Sequence, residues 1–188
     1  MRDDQRVYVK QKTTRRTRLK RMVMLIIRVY PLFYFCRLAV FYFINSAMGV
    51  IDCRSGLRTK IHPSAILREP QNIVIGDDCL INHGCVLHGG KNAAQLLLGD
   101  HVQLGPYVQI FCFNHDTRLA NPHMMVNSYS EADVIIGSDV WIGAGSIILA
   151  GVKVGDGAVI GAGSIVVDDI PENAVVASPK AKVIGRRQ

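Results

Sequence analysis

From Ile136 to Pro171 the chain repeats apolar, small and polar positions with a period of six: I-G-S-D-V-W, I-G-A-G-S-I, I-L-A-G-V-K, V-G-D-G-A-V, I-G-A-G-S-I and V-V-D-D-I-P. An aliphatic residue opens every block (Ile136, Ile142, Ile148, Val154, Ile160, Val166), and a small or β-branched residue stands fifth in each. This period fits neither a helix nor one unbroken strand. It fits the coils of a parallel β-helix, in which each block is a short strand plus a turn and the opening aliphatic points into a prism-shaped core. Glycine, second in four blocks, reads as a turn residue whose conformation a Cβ would oppose.

The register continues upstream through Ile61, Leu67, Ile75, Ile81, Leu87, Leu98, Leu104 and Ile110. If three blocks make one coil, every gap longer than six residues (67–75, 87–98, 110–136, 166–175) falls on the same corner. Stacked insertions mark that corner as the functional one. The spacing predicts about five coils, with the longest excursion, 116–133, leaving the third. The organisation expected is a basic tail 1–21, an aromatic-rich helical segment 22–51, a linker 52–60, the repeat domain 61–177 and a basic tail 178–188.

Charge changes the picture at the N-terminus. Residues 1–51 hold eleven Lys/Arg and two Asp, whereas 52–188 hold eleven Lys/Arg and thirteen Asp/Glu, so the head carries +9 and the body −2. A basic head implies an anionic partner, a membrane surface or a nucleic acid. Directly after Arg15–Arg21 the chain becomes apolar and rich in Tyr and Phe through Val50. Arg28 and Arg37 interrupt it, Pro31 falls inside it, and the longest charge-free run is the fourteen residues Leu38–Ile51. A spanning helix wants about 20 apolar residues. The expectation is therefore one or two interfacial helices bent at Pro31 and peripheral on the cytoplasmic membrane face, with arginines reaching the phosphates. A cap on the open end of the β-helix or an oligomer contact is the competing reading. The interruptions and the missing A-x-A site exclude a signal peptide, and no recognition-helix pattern supports nucleic-acid binding.

The five cysteines, Cys36, Cys53, Cys79, Cys85 and Cys112, form no C-x-x-C pair. Cys79 and Cys85 take the fifth slot of their blocks, a core position, so reduced structural thiols are expected. Cys112 lies nearer the insertion corner, where a nucleophile would need a lowered pKa.

Residues 141–184 (W-I-G-A-G-S-I through A-K-V-I) resemble the acetyl-CoA-dependent hexapeptide-repeat O-acetyltransferases, in particular the galactoside, maltose, nodulation and polysaccharide-gene group. The resemblance extends over about 60–185 and leaves the head outside. A second match is F-N-H-D, residues 113–116, just before the long insertion. The resemblance implies an all-β, left-handed parallel β-helix, an exception to right-handed crossovers, assembled as a homotrimer with sites between subunits. It implies acetyl-CoA as donor, a sugar acceptor, no metal, and His115 as the catalytic base. Carried over with it are Trp141, Gly143, Ala144, Ala162 and Lys182 toward CoA, and Asn82 and Asp116 toward the acceptor.

Those residue types suit the chemistry. Transfer from a thioester to a hydroxyl needs a base for the hydroxyl proton, a task for a histidine, and donors for the oxyanion, here a backbone N–H near Gly143 and Ala144. Either Asp116 or a backbone carbonyl is left to orient His115. Asn82 also reads as a plain turn residue, Trp141 as a subunit contact, and Lys180, Arg186 and Arg187 as partners of Lys182 or a solvated tail. His62, His101 and His123 are given no chemistry. The chain departs from the family at the acceptor side, with His88 and Gly89 where an acidic residue is expected and Ser128 in place of a glutamate, Glu131 lying nearby. Two rivals remain. His83 and His88 have the H-x4-H-G spacing of gamma-class carbonic anhydrases, which would use zinc with a third histidine, and a non-catalytic scaffold would share every repeat feature.

Overall fold

The computed structural model describes residues 15–115 and 129–178, and the chain divides into two compact units, 1–41 and 42–188. In the second unit the short strands form three parallel sheets. The first holds Arg54–Ser55, Ile73–Ile75, Leu96–Leu98, Val134–Ile136 and Lys153–Val154. The second holds Lys60–Ile61, Leu80–Ile81, Gln103–Leu104, Trp141–Ile142, Val159–Ile160 and Val175–Val176. The third holds Ile66–Arg68, Val86–His88, Gln109–Phe111, Ile147–Ile148 and Ile165–Val166. The chain visits the sheets in turn, so each coil hydrogen-bonds to the next across three faces.

The hydrophobic period sets this register. Ile81 pairs with Leu104 and Leu87 with Ile110, and the aliphatic openings from Leu67 to Val166 are buried in one core. Each such Ile or Leu contributes roughly 1.5–3 kcal/mol by its burial. The fifth positions also point inward, Cys79, Cys85, Val102, Val108, Val140, Val152 and Ala158 among them. The two hydroxyls buried there are satisfied: Ser146 and Ser164 both donate to the Gly161 carbonyl, at 3.0 and 2.6 Å.

Several boundaries differ from the periodic reading. The coils begin at Arg54, inside the expected linker, because Arg54–Ser55 pairs with Val74–Ile75. The last expected insertion is absent: Ile170 bridges to Val154 only four residues after Val166, and Val176, not Val175, lies beside Ile160. The other three insertions do share one edge, between the third and first sheets. Second-place glycines also serve a different purpose from the one expected. A Cβ on Gly105 would lie 2.7 Å from the Ala144 nitrogen of the next coil, so these positions need space. It is fourth-place glycines such as Gly145, at φ +69° with open space around, that need the left-handed conformation.

The N-terminal segment is not interrupted at Pro31. Arg15–Tyr42 is one α-helix with Pro31 inside it, followed by a π-helical turn, Phe43–Ala47, and a short α-helix, Met48–Asp52. Phe43–Asp52 belongs to the second unit and covers the first coil, with Gly49 buried against Leu67 and Val50 packed on the core. This part of the apolar segment is the cap. Upstream, the 25-residue stretch Arg18–Tyr42 contains an 18-residue window with mean hydropathy 1.8, none of it buried. Large apolar side chains are exposed at consecutive positions, Met22 to Ile26 and Leu32 to Phe35, so the helix has no polar face.

A Cβ on Gly49 would lie 2.7 Å from the Leu67 carbonyl oxygen. Gly49→Leu should lift the cap and lower stability by about 1–3 kcal/mol, read from urea denaturation of the detergent-solubilised chain.

Candidate active site

The three edges are built differently. Along the first, between the first and second sheets, side chains zip successive coils together: Asp77 Oδ1 accepts from Leu57 N, Asp100 Oδ1 from Asp77 N, Ser138 Oγ from Asp100 N and Asp156 Oδ1 from Ser138 N, at 2.6–3.1 Å. This edge is saturated. The second edge, between the second and third sheets, carries Asn82, Gly143, Ala144 and Ala162 at its turns, with Trp141 on the adjoining sheet, 55% exposed between Gln103 and Val159. Gly143 and Gly161 are bound into the inter-coil ladder, their N–H groups donating to Ile160 O and Val176 O at 2.7 Å each. The following residues, Ala144 and Ala162, are exposed, and among the described residues their N–H groups have no acceptor. Gly143 therefore supplies close packing, and the amide open to an oxyanion is that of Ala144.

His115 stands on the third edge. It ends the strand Phe113–His115, which pairs antiparallel with Tyr129–Glu131 and sets His115 opposite Tyr129. The insertion is thus a hairpin that starts before residue 116. His115 is exposed, with its ring centroid 4.8 Å from that of Tyr129. Tyr129 packs edge-on against Phe113 at 5.4 Å, and Phe113 against His88 at 4.6 Å. The Lys91 ammonium sits 3.7 Å from the Tyr129 ring centroid, a cation–π contact. None of Tyr129, Phe113 or Lys91 was visible as part of the site, although the alternation F-x-H against Y-x-E is a hairpin signal. Asp116 and Lys182 lie outside the described residues.

Glu131 is committed to structure. Its carboxylate accepts from the backbone N–H groups of Lys91, Asn92 and Ala93 and from Asn92 Nδ2, at 2.9–3.3 Å. Desolvation pushes its pKa up, but the hydrogen bonds from Asn92, Ala93, Lys91 and Ala94 outweigh it and hold the carboxyl below the usual glutamate range. Glu131 ties the loop after His88 to the base of the hairpin, so it is not available to an acceptor. Cys112, beneath that hairpin, is fully buried, and burial pushes its thiol up to about 11. It is a core residue, as are Cys53, Cys79 and Cys85.

Asn82 is a turn residue with a specific partner: its Oδ1 accepts from the backbone N–H of His83 at 3.0 Å and contacts His83 Nδ1 at 3.1 Å. His83 lies in the turn that precedes the strand Val86–His88 and His88 ends that strand, its Nδ1 bonding the Gly89 carbonyl at 2.8 Å. Among the described residues no three His, Cys, Asp or Glu gather as a metal-ligand set.

A solenoid of six-residue blocks, three to a coil, with an exposed histidine on its one inserted edge defines a hexapeptide-repeat transferase. Residues 133–168 match the bacterial transferase hexapeptide family (six repeats). Nodulation protein L of Rhizobium meliloti is 40% identical over 140 residues, 70% of this chain and 72% of that one. Among solved structures, the hexapeptide-repeat acetyltransferase of Vibrio cholerae complexed with acetyl coenzyme A superposes with TM-score 0.61 at 26% identity, covering 74% of each chain. A galactoside acetyltransferase in complex with coenzyme A does so with TM-score 0.59 at 32% identity, over 66% of this chain and 60% of that one. The chain belongs to the hexapeptide-repeat acetyltransferases, with their left-handed β-helix.

The carboxylate clamp has a pH signature. Because the folded pKa of Glu131 is depressed, its contribution is complete above the unfolded value and is lost as pH falls through the folded one. The Asn92 and Ala93 amide resonances should stay constant down to the acid side of the usual glutamate range and then shift. In Glu131→Gln those amides should exchange faster with solvent at neutral pH, with the coil amides unaffected.

Proposed function

We propose that this protein transfers an acetyl group from acetyl-CoA to a hydroxyl of a sugar, with His115 as base, in sites formed between the subunits of a homotrimer. The observation that carries this reading is the division of the motif residues between two edges. Ala144 and Ala162 offer unspent amides on the second edge, and His115 stands exposed on the third. One prism keeps these edges apart, and packing three prisms side by side brings the second edge of one against the third edge of its neighbour. The outer row of the third sheet, Ile66, Val86, Gln109, Ile147 and Ile165, is largely apolar and suits such a contact.

In this mechanism the acceptor hydroxyl attacks the thioester carbonyl while His115 removes its proton. The Ala144 N–H donates to the oxyanion of the tetrahedral intermediate. Collapse breaks the carbon–sulfur bond, and the imidazolium of His115 returns the proton to the departing thiolate. Lys182 pairs with the phosphates of CoA, and Trp141 borders the pantetheine arm. No covalent enzyme intermediate is needed.

The proposal extends to the membrane. The helix Arg18–Tyr42 is about 38 Å long at 1.5 Å per residue, beyond the ~30 Å of a bilayer core, and it lacks the polar face that a surface helix uses. We therefore favour insertion over surface docking. Arg15, Arg18, Lys20 and Arg21 lie at headgroup level, and the solenoid is held beside an acceptor carried on a lipid.

Calorimetry should show acetyl-CoA and CoA binding to the full-length protein. Lys182→Ala should weaken both, and His115→Ala should keep both while slowing transfer about 10²–10⁴-fold. If the wild type binds neither, the acetyltransferase reading fails; acetylation of amines in place of hydroxyls would replace the acceptor half alone. Membranes washed with alkaline carbonate should retain the protein. Release into the wash would assign the helix to the bilayer surface.

A further inference from the structure

The second edge is uniform in its fourth and fifth coils, where G-A-G turns carry Ala144 and Ala162, and departs from that pattern in the first three. There it presents His62, then Asn82–His83, then Tyr107. The three rings stack edge to face along the edge, His62 on His83 at 5.8 Å and His83 on Tyr107 at 5.0 Å.

The hydrogen bonds assign a tautomer to each imidazole. Asn82 Oδ1 accepts the backbone N–H of His83, which identifies that atom as the oxygen. An amide oxygen cannot donate, so the His83 Nδ1 beside it carries the proton. Nε2 of neutral His83 is then a bare acceptor. His62 is the reverse case. Its Nδ1 accepts the Ser64 backbone N–H at 3.1 Å, so neutral His62 carries its proton on Nε2.

Tyr107 occupies the turn slot that is glycine in the neighbouring coils. Gly84, Gly145 and Gly163 have φ of +69°, +69° and +71°, and Tyr107 adopts the same left-handed conformation at +60°. Arg58, Asp78, His101, Asp139 and Asn173 take the same conformation at turns of the first edge, but on the second edge Tyr107 is the one non-glycine residue that does so among the described residues, and the conformation is unfavourable for a bulky side chain. The ring remains 60% exposed, and it lies where a Cβ on Gly84 would collide with it. Core packing does not account for a tyrosine here.

We infer that His62, His83 and Tyr107 form a carbohydrate-binding ledge, the acceptor subsite on the second edge, with His83 Nε2 receiving a hydrogen bond from an acceptor hydroxyl and Asn82 acting as the positioning residue that holds His83 in that tautomer. The His62 Nε2–H donates to a neighbouring sugar oxygen, and the Tyr107 ring meets the C–H face of a pyranose. A set of one fixed acceptor, one fixed donor and one aromatic face suits a polyhydroxylated ring. The inference rests on the acetyltransferase reading of this edge and deepens its acceptor half.

The test uses the full-length protein in detergent micelles, with methyl pyranosides of the common hexoses as probes. Two-bond nitrogen–proton NMR correlations should find neutral His83 protonated at Nδ1 in the wild type and at Nε2 in Asn82→Ala. His83 protonated at Nε2 in the wild type overturns the assignment. Saturation-transfer NMR should detect at least one glycoside, with Tyr107→Gly and His83→Phe weakening it about tenfold, the scale of one lost hydrogen bond or ring contact. Tyr107→Gly should melt no lower than the wild type, since it removes a strained side chain. A purely structural Tyr107 would instead lower the melting temperature and leave the glycoside signal alone. No glycoside signal in the wild type, or signals unchanged in both variants, sinks the inference. CoA titrations of the same samples separate the outcomes, because the ledge variants should keep CoA affinity, and loss of CoA binding by the wild type counts against the acetyltransferase reading itself.

Discussion

Everything in the repeat domain depends on how closely successive coils approach. Parallel strands lie about 4.8 Å apart, and in a β-helix the turns must stack at the same spacing as the strands. At the second edge there is no room for a Cβ between the third, fourth and fifth coils, as the approach of Gly105 to Ala144 and of Gly143 to Ala162 shows. Small residues there permit the ladder, the ladder places Ile81 over Leu104 and Ile142 over Ile160, and only then does a continuous apolar core exist. The first edge meets the same constraint with side chains that accept backbone N–H groups from the coil above or below. Two edges are thereby fixed in length, and inserted chain can leave the prism only at the third.

That restriction distributes the chemistry. The insertion hairpin must begin at the third edge, and its first strand delivers His115 to the surface, braced by Tyr129, Phe113 and Lys91 and tied at its base by Glu131. Open backbone amides are found on the second edge, because glycine turns spend alternate N–H groups in the ladder and leave those of Ala144 and Ala162. A prism cannot fold one edge onto another. The proposed trimer answers the rigidity of a single coil stack, which separates His115, the proposed base, from the amides proposed to work with it.

Much of the architecture was legible because the core signal recurs every six residues and tolerates no drift. Wherever a residue's role is repeated, as for Ile142 or Cys85, its burial could be read from its slot. The ends were harder. Ile170 takes a core position after only four residues, a shortened turn that a strict period misreads as an insertion, and Arg54–Ser55 pairs through its backbone with no aliphatic opening to announce it. The length of the N-terminal helix was hard to read for a related reason: Arg28 and Arg37 cut the sequence into short apolar runs, whereas the helical backbone continues through Pro31 and joins those runs. At the candidate site, His115 was singled out by motif, but the residues packed around it were not, since Lys91 and Tyr129 are separated by an excursion whose return path leaves no periodic trace.

The departures from the repeat carry information of their own. A transferase whose donor is common to many relatives needs the same donor surface each time, and a regular lattice of glycine and alanine provides it with no side chains to specify. Acceptors differ, so their recognition has to be written in side chains that break the pattern. In this chain the second edge is regular in coils four and five and irregular in coils one to three. The irregular residues are also the ones whose hydrogen bonds or backbone conformation are individually constrained: His62 by Ser64, His83 by Asn82, Tyr107 by a left-handed turn. Glycine, which the neighbouring coils of this edge use, would have made the same turn without placing a side chain in the left-handed region. Retaining a strained, exposed tyrosine beside an oriented imidazole places selectivity on the same edge as the donor amides, one or two coils away.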